Sequence, residues 1–236
     1  MNIIAHRCGT DLYPELTIQA AEHSLTLGAD YIEMDVRFTA DNVPVIVHDA
    51  DAMKLFGEDK NISEISATEF LSFRHVGHRQ YCSHTLDDMF DTLKAPILLH
   101  CKVSGQYIDE ILRCICNNKY EDRAIMGLTQ YEDAKRVKGF NPNIQTLAFM
   151  PSMDQCDAFI NAGFDIIRLW EGWVTPEAIE KIHASQRKVW IMARGSENNI
   201  TGYTTKENMK ALFDLGVDGI LIDEVKWAKQ ILNSIK

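Results

Sequence analysis

Residues 31–49 read YIEMDVRFTADNVPVIVHD, two apolar runs joined by the turn-forming sequence ADN. The joining segment is too short for the crossover that links parallel strands, which takes about a dozen residues or more. We therefore expect an antiparallel hairpin with Asp35 opposite residue 47 or 48. In that hairpin His48 returns beside Glu33 and Asp35, which share one face of their strand because they are two residues apart.

Elsewhere, short apolar runs alternate with segments whose apolar residues recur at helical spacing. Repeated strand–helix units predict a parallel sheet with helices outside it. With one of nine runs assigned to the hairpin, eight parallel strands remain. The length of 236 residues suits a compact (β/α)8 TIM barrel, which typically has about 250. We expect this α/β fold with an extra hairpin strand after strand 2; the nine runs are 2–5, 31–36, 43–47, 96–101, 124–128, 144–149, 165–170, 188–193 and 219–222.

Residues 50–84 interrupt the alternation and show only one short helical pattern, near 67–73. We interpret them as an insertion at the mouth of the barrel, where long loops often form lids or substrate walls. No linker, repeat or low-complexity segment divides the sequence. We therefore expect a single domain over 1–236 that contains this insertion.

Composition argues against several classes of protein. The formal net charge of −10 opposes nucleic-acid binding, which needs a basic face. No apolar stretch approaches the ~20 residues of a membrane span, and the amino terminus lacks the pattern of a secretory leader. The six cysteines have no framework spacing, so we expect free thiols. These features favour a cytoplasmic protein without a stable membrane anchor.

Five chemically active side chains lie at or near the ends of the first three runs: His6, Arg7, Glu33, Asp35 and His48. Barrel strands are covered on both faces, so a carboxylate pair within one must be paired or bind a metal. Two histidines can take and give protons, and an arginine fork can hold a phosphate. Each histidine alone fits a structural role better, and Arg7 alone fits a surface ion pair. Together the groups indicate phosphate-ester chemistry.

These residues lie in ordered motifs that resemble the glycerophosphodiester phosphodiesterases. The family's patterns are HRG…PENT, E-x-D and HD. Their counterparts here are HRCG at 6–9, PELT at 14–17, EMD at 33–35 and HD at 48–49. Weaker similarities occur at TLDD (85–88), at VDGI (217–220) with Asp223, and at the 188–192 strand with Trp190. The resemblance spans essentially the whole chain.

The resemblance implies a metal-dependent hydrolase that cleaves glycerophosphodiesters to sn-glycerol 3-phosphate and an alcohol, in glycerol and lipid metabolism. Its expected partner is a small-molecule phosphodiester; the oligomeric state is left open. The implied catalytic acid and base are His6 and His48, in either order. The implied substrate- and phosphate-binding residues are Arg7, Lys102 and Trp190. The implied ligands of a divalent cation, magnesium or calcium by resemblance, include Glu33 and Asp35.

The most consequential departure from the family is at His100, where the family's E-x-K motif has a glutamate that binds the metal. A nitrogen ligand would replace an oxygen there. Magnesium and calcium favour oxygen, whereas imidazole suits zinc and related ions. We expect His100 to complete the metal site, with a preference shifted towards manganese or zinc, or with weaker binding. Glu171, at the end of a later strand, is a rival oxygen ligand.

Smaller departures and ambiguities concern single residues. Cys8 replaces a family glycine, so we expect the backbone there not to need a glycine-only conformation. Asp49 either orients His48 or caps the following turn, and we favour the turn. For Arg168 and Arg194, surface ion pairs are preferred over substrate contacts.

Two other functions remain open at this point. His100 is compatible with a barrel that binds a phosphoester or a metal but turns over poorly. A related barrel phospholipase that acts on another head group is the third possibility.

Overall fold

The computed structural model describes residues 1–195 and 200–235. Within them, eight parallel strands close into a barrel in the order β1-β2-β4-β5-β6-β7-β8-β9, and β9 pairs back with β1. The strands are β1 Asn2–Ala5, β2 Tyr31–Phe38, β3 Pro44–Ile46, β4 Ile97–Cys101, β5 Ala124–Leu128, β6 Gln145–Ala148, β7 Ile166–Trp170, β8 Lys188–Met192 and β9 Gly219–Ile222.

The helices lie mainly between successive strands. They are α1 Ile18–Thr26, α2 Met53–Phe56, α3 Ala67–Phe70, α4 Leu86–Thr92, α5 Gln106–Asn117, α6 Glu132–Phe140, α7 Cys156–Asn161, α8 Pro176–Ala184, α9 Lys206–Asp214 and α10 Val225–Ile235. Several begin at a threonine whose hydroxyl accepts a backbone N–H of the first turn, as Thr17, Thr85 and Thr205 do. The predicted TIM barrel is confirmed; helix α10 was not predicted.

The hairpin is also confirmed. Strand β3 pairs antiparallel with the upper end of β2, with Val36 opposite Ile46. The Val47 N–H then donates to the Asp35 carbonyl at 3.1 Å, which sets His48 just beyond Asp35. Because β1 pairs only with the lower end of β2, β3 takes its place at the barrel mouth. The extra strand thus carries His48 to the edge of the site.

Two apolar layers hold the barrel. Inward-facing side chains fill its lower interior, and outward-facing ones pack against the helices. The inner set is Ile4, Leu98, Ile125, Leu147, Phe149, Ile166, Trp190, Met192 and Leu221.

The insertion at 50–84 packs onto the same outer core through Phe56, Ile62 and Phe70. It is also bonded to the hairpin turn, because the Ala40 N–H donates to the Ile65 carbonyl at 2.8 Å. None of the insertion's residues is among the walls of the active-site cavity, and its role as a lid or substrate wall stays a prediction.

Candidate active site

Predicted catalytic and metal residues from four strand ends meet at the mouth of the barrel. His6 follows β1, Glu33 lies on β2, and His48 follows β3. On β4, His100 lies beside Asp35 in register. A cavity of about 310 Å³ opens there, and its walls are His6, Arg7, Glu33, His48, His100, Lys102, Phe149, Arg168, Trp170, Met192, Thr201 and Leu221.

The carboxylate pair and His100 form a compact donor set. Each offers a ligand atom, and these atoms lie within 4.8 Å of one another. His100 Nδ1 and Lys102 Nζ each approach Asp35 Oδ1 to 3.1 Å. Neither approach has hydrogen-bond geometry, so both buried Asp35 oxygens lack a hydrogen-bond partner among the described residues. Two carboxylates and an imidazole with unsatisfied oxygens fit a divalent cation.

The pKa values of Glu33, Asp35 and His100 are shifted in different directions. Burial, followed by repulsion from Asp35, raises the pKa of Glu33 to about 7. Burial also acts to raise the pKa of Asp35, but His100 and Lys102 outweigh it and hold that pKa well below its usual range. Burial lowers the pKa of His100 to about 4, so its imidazole is neutral at pH 7 and retains a lone pair. A neutral imidazole is the form that binds metals.

The two histidines have the same kind of support. His6 Nδ1 lies 2.6 Å from Asp223 Oδ1, and His48 Nδ1 lies 2.6 Å from Asp49 Oδ1. A carboxylate on Nδ1 fixes the ring and leaves Nε2 available for proton transfer. The preference for Asp49 as a turn residue was therefore wrong, since it orients His48. No role was predicted for Asp223 from the sequence, although its position directly after the last barrel strand is one where site residues of such barrels lie.

The same two histidines differ in pKa. Burial acts to lower the pKa of His6, but the hydrogen bond to Asp223 and the charge of Glu33 outweigh it and raise the value above 6.5. For His48, burial dominates and the pKa falls below 6.5. His6 is therefore the better proton donor at neutral pH, and His48 the better acceptor.

Two cations border the carboxylates. Lys102 lies 3.1 Å from Asp35, while Arg7 Nε lies 3.8 Å from the same side chain. Arg7 Nη1 donates to Glu15 at 3.0 Å, and Glu15 in turn accepts from Lys54 of the insertion at 3.0 Å. The insertion thus supports the site indirectly, by holding the carboxylate that positions Arg7.

The loop after β1 has strained backbone. Arg7, Cys8 and Leu16 have φ values of 48°, 71° and 60°, in the left-handed region that favours glycine. The expectation that Cys8 frees the loop from a glycine conformation is wrong, because Cys8 keeps that conformation. Two hydrogen bonds hold the loop in place. The backbone N–H of Arg7 donates to the Glu33 carboxylate at 2.7 Å, and the backbone carbonyl of Arg7 accepts from the Leu16 N–H at 2.8 Å.

The far wall of the cavity is a stack that was not foreseen. The His100 ring lies against Phe149, with centroids 3.6 Å apart and planes at 9°. Arg168 Cζ lies 5.1 Å from the Phe149 ring centroid and 4.4 Å from that of Trp170. Arg168 is 5% exposed and forms no ion pair with a described residue, so its interpretation as a surface ion pair was wrong. Burial lowers its pKa to about 10, which leaves it cationic at pH 7.

Two expected residues lie outside the cluster. Trp190 is 1% exposed, packs against Tyr31 and is not among the cavity walls; Trp170 and Met192 take that place. Glu171 is turned into a neighbouring groove, where it accepts the Arg194 N–H at 2.8 Å and the Asn208 amide at 2.8 Å. Because its oxygens are used there, Glu171 is not a rival ligand to His100.

A barrel whose mouth joins two carboxylate-held histidines, a carboxylate pair and two basic side chains defines the class of barrel phosphodiesterases. The profile of the glycerophosphoryl diester phosphodiesterase family matches residues 6–150. The chain belongs to this family.

Two relatives are distant in sequence but match over most of their own length. A glycerophosphodiester phosphodiesterase of Caldanaerobacter subterraneus is 24% identical, over 94% of this chain and 93% of its own. A lysophospholipase D of Rattus norvegicus is 23% identical, over 98% and 86%. Among solved structures, an Oleispira antarctica phosphodiesterase in complex with the product sn-glycerol-3-phosphate matches with a TM-score of 0.86 at 16% identity, over 99% of this chain and 97% of that one. Within the described residues, no helix combines the length and apolarity needed to cross a membrane.

Proposed function

We propose that this protein hydrolyses glycerophosphodiesters to sn-glycerol 3-phosphate and an alcohol. The observation that carries the proposal is the placement of His6 and His48, each held by a carboxylate, beside the Glu33/Asp35 pair in one cavity. Family membership and a structural neighbour that holds sn-glycerol-3-phosphate support it.

The residues that would hold a divalent cation are Glu33, Asp35 and His100. When bound, the cation would supply Lewis-acid stabilisation of the charge on the phosphate oxygens. Arg7 and Lys102 add two fixed positive charges on the same side of the cavity, so they bind the phosphodiester and stabilise the charge that develops in the transition state.

The proposed mechanism assigns one proton transfer to each histidine. His48, neutral because burial lowers its pKa, accepts the proton of the attacking hydroxyl at Nε2. His6, whose pKa is raised because the hydrogen bond to Asp223 and the charge of Glu33 outweigh its burial, donates a proton to the departing alcohol oxygen. The attacking group is a water, which gives sn-glycerol 3-phosphate directly, or the glycerol hydroxyl next to the phosphate, which gives a cyclic phosphate that a water then opens. In both cases the proton of the attacking group goes to the same nitrogen.

A substrate panel with added metals tests the proposal. The purified chain should release sn-glycerol 3-phosphate from at least one deacylated glycerophosphodiester, and His48→Asn should abolish release. The matched control is His183→Asn, which alters another histidine paired with an aspartate, outside the site. Binding of sn-glycerol 3-phosphate without turnover under any metal would reject hydrolysis and favour the binding barrel instead. Release of an intact phosphorylated head group would favour the related phospholipase.

A further inference from the structure

Arg168 is a buried cation that forms no ion pair with a described residue, and the carboxylate that acts on it electrostatically is Glu33 in the wall of the same cavity. Arg168 is 5% exposed, it lines the site cavity, and its Nε and Nη1 have no hydrogen-bond partner among residues 1–195 and 200–235. Burying a charge without a partner is costly, so such a group is expected where a ligand supplies the missing charge. The role of Arg168 in binding is not explained by the mechanism above.

Arg168 enters the cavity from a different wall than Arg7 and Lys102, with the Phe149 ring between it and His100. Arg7 follows β1 and Lys102 follows β4, and both approach Asp35 on β2. Arg168 enters from β7, four strands from β2 in either direction around the eight-stranded barrel. A substrate whose phosphate lies between Arg7 and Lys102 would therefore reach Arg168 with another of its groups. The glycerol part carries only hydroxyls, so a second anionic group can belong only to the alcohol.

The neighbouring aromatic ring supports the same conclusion. Arg168 Cζ lies 4.4 Å and Arg194 Cζ 5.1 Å from the Trp170 ring centroid. A quaternary ammonium group binds best on a free aromatic face, and two guanidinium groups already contact this one. Trp170 also lines the adjacent groove of about 610 Å³, which offers room for a larger alcohol.

We propose that Arg168 binds a second anionic group on the alcohol part of the substrate, so that the enzyme prefers alcohols bearing a carboxylate or a phosphate to choline. This preference rests on the proposed hydrolysis and adds a substrate class to it. Arg168 acts as a specificity residue, and the planar guanidinium suits bidentate contact with either anion.

A matched substrate pair isolates this contact. Glycerophosphoserine differs from glycerophosphoethanolamine only by a carboxylate, so the ratio of their kcat/KM values measures what that carboxylate contributes. We expect the wild-type ratio to exceed one, with glycerophosphocholine the poorest of the three. Arg168→Gln should lower the ratio roughly 10- to 100-fold, the factor for a charge-assisted hydrogen bond, and Arg168→Lys should lower it less. A glycerophosphodiester whose alcohol carries a phosphomonoester shows whether phosphate or carboxylate is preferred.

The control is Arg187→Gln, since Arg187 also has a buried Nε without a partner but precedes β8 at the opposite end of the barrel. It should leave the ratio unchanged. Arg168→Gln removes an unpaired buried charge, so it should not lower the Tm. If Arg168→Gln left the ratio unchanged, the inference would be overturned. An equal loss of kcat/KM on both substrates is one such result, and it would show that Arg168 contacts the reacting phosphate. If no diester is cleaved by the wild type, the proposed hydrolysis itself fails.

Discussion

At the level of single residues, the site depends on two histidines with similar partners and different surroundings. Each Nδ1 lies 2.6 Å from an aspartate, yet the pKa of His6 is raised and that of His48 is lowered. Burial acts to lower both pKa values. At His6 the hydrogen bond to Asp223 and the charge of Glu33 outweigh it, whereas at His48 burial, reinforced by the charge of Lys102, outweighs the charge of Asp35. The proposed mechanism needs protonated His6 and neutral His48, so we expect the profile of kcat/KM against pH to be bell-shaped around neutrality.

The first prediction concerns Asp223→Asn. Removing the carboxylate removes the hydrogen bond and charge that raise the pKa of His6, so His6 loses its proton at lower pH. The alkaline limb of the kcat/KM profile should move to lower pH while the acid limb, set by His48, stays. At the optimum, kcat/KM should fall by about 100-fold or more because the ring is no longer oriented.

Asp218→Asn is the control for this change, because Asp218 pairs with His183 on the surface at 3.0 Å. It should leave both limbs in place. An Asp223→Asn enzyme with an unshifted alkaline limb would show that His6 is not the proton donor.

The second prediction concerns the metal and His100→Glu. Calorimetric titration should show magnesium or calcium binding tightened by about 10-fold or more relative to manganese or zinc, since an oxygen ligand replaces nitrogen. His78→Glu makes the same replacement at an exposed position and should change neither affinity. An unchanged order of metals in His100→Glu would mean that His100 is not a ligand.

The sequence predicts a site residue when its position at a strand end places it in the site, and misses it when its role depends on contact with a residue far away in the chain. His6 and Glu33 could be grouped because both lie at or near the ends of barrel strands, and His48 because the hairpin returns it beside Glu33 and Asp35. Asp223 meets His6 across 217 positions, and no local pattern shows that pairing. The role of Arg168 in the site could have been predicted, because it is a charged residue within the otherwise apolar strand IIRLW, just as Glu33 is a charged residue within an apolar strand.

At the level of elements, the absence of a side chain at Gly127 on β5 leaves room for the aromatic ring that follows β6. Gly127 faces the barrel interior, and a Cβ there would clash with the Phe149 ring and lie 2.9 Å from the Leu99 carbonyl oxygen. Phe149 in turn stacks on His100. The glycine on β5 therefore sets the position of a site residue on β4 through the ring of Phe149, the residue after β6.

The third prediction is that Gly127→Ala displaces Phe149. We expect a loss of about 1–3 kcal/mol in the free energy of unfolding, as for overpacked cores, together with weaker metal binding because His100 loses its support. Gly139→Ala is the matched control: Gly139 lies in α6 with open space around it, so alanine should stabilise by about 0.5–1 kcal/mol. Equal effects of the two substitutions on stability would refute the packing argument.

The elements themselves were largely predictable, and the exception is instructive. Hairpin and barrel strands followed from local spacing and turn length. Helix α10 was missed, and its start is fixed by Asp11, which accepts the Val225 N–H at 2.8 Å and the Lys226 N–H at 3.1 Å. A capping residue more than two hundred positions away leaves no signature beside the helix it caps.

At the level of the whole molecule, the insertion and the barrel share one hydrophobic core. Phe56 and Phe70 of the insertion belong to the same cluster of buried apolar residues as the outer faces of the barrel strands. Phe70 is fully buried, and its ring centroid lies 5.6 Å from that of Phe56. The insertion is tied to the hairpin turn as well, since the Ala67 N–H donates to Asp41 at 2.9 Å. We therefore propose that residues 1–236 form a single domain that unfolds as one unit.

Phe70→Ala tests that proposal, because all four tryptophans lie outside the insertion and their fluorescence reports the barrel alone. Truncating a buried phenylalanine costs about 3 kcal/mol or more. If the core is shared, the Tm seen by tryptophan fluorescence should fall by about 6 °C or more, in step with that from circular dichroism. Leu71→Ala, at a more exposed neighbour, should shift neither. A fluorescence Tm that stays in place while circular dichroism shows an earlier transition would mean that the insertion unfolds separately, because only an independent unit can lose Phe70 without weakening the barrel.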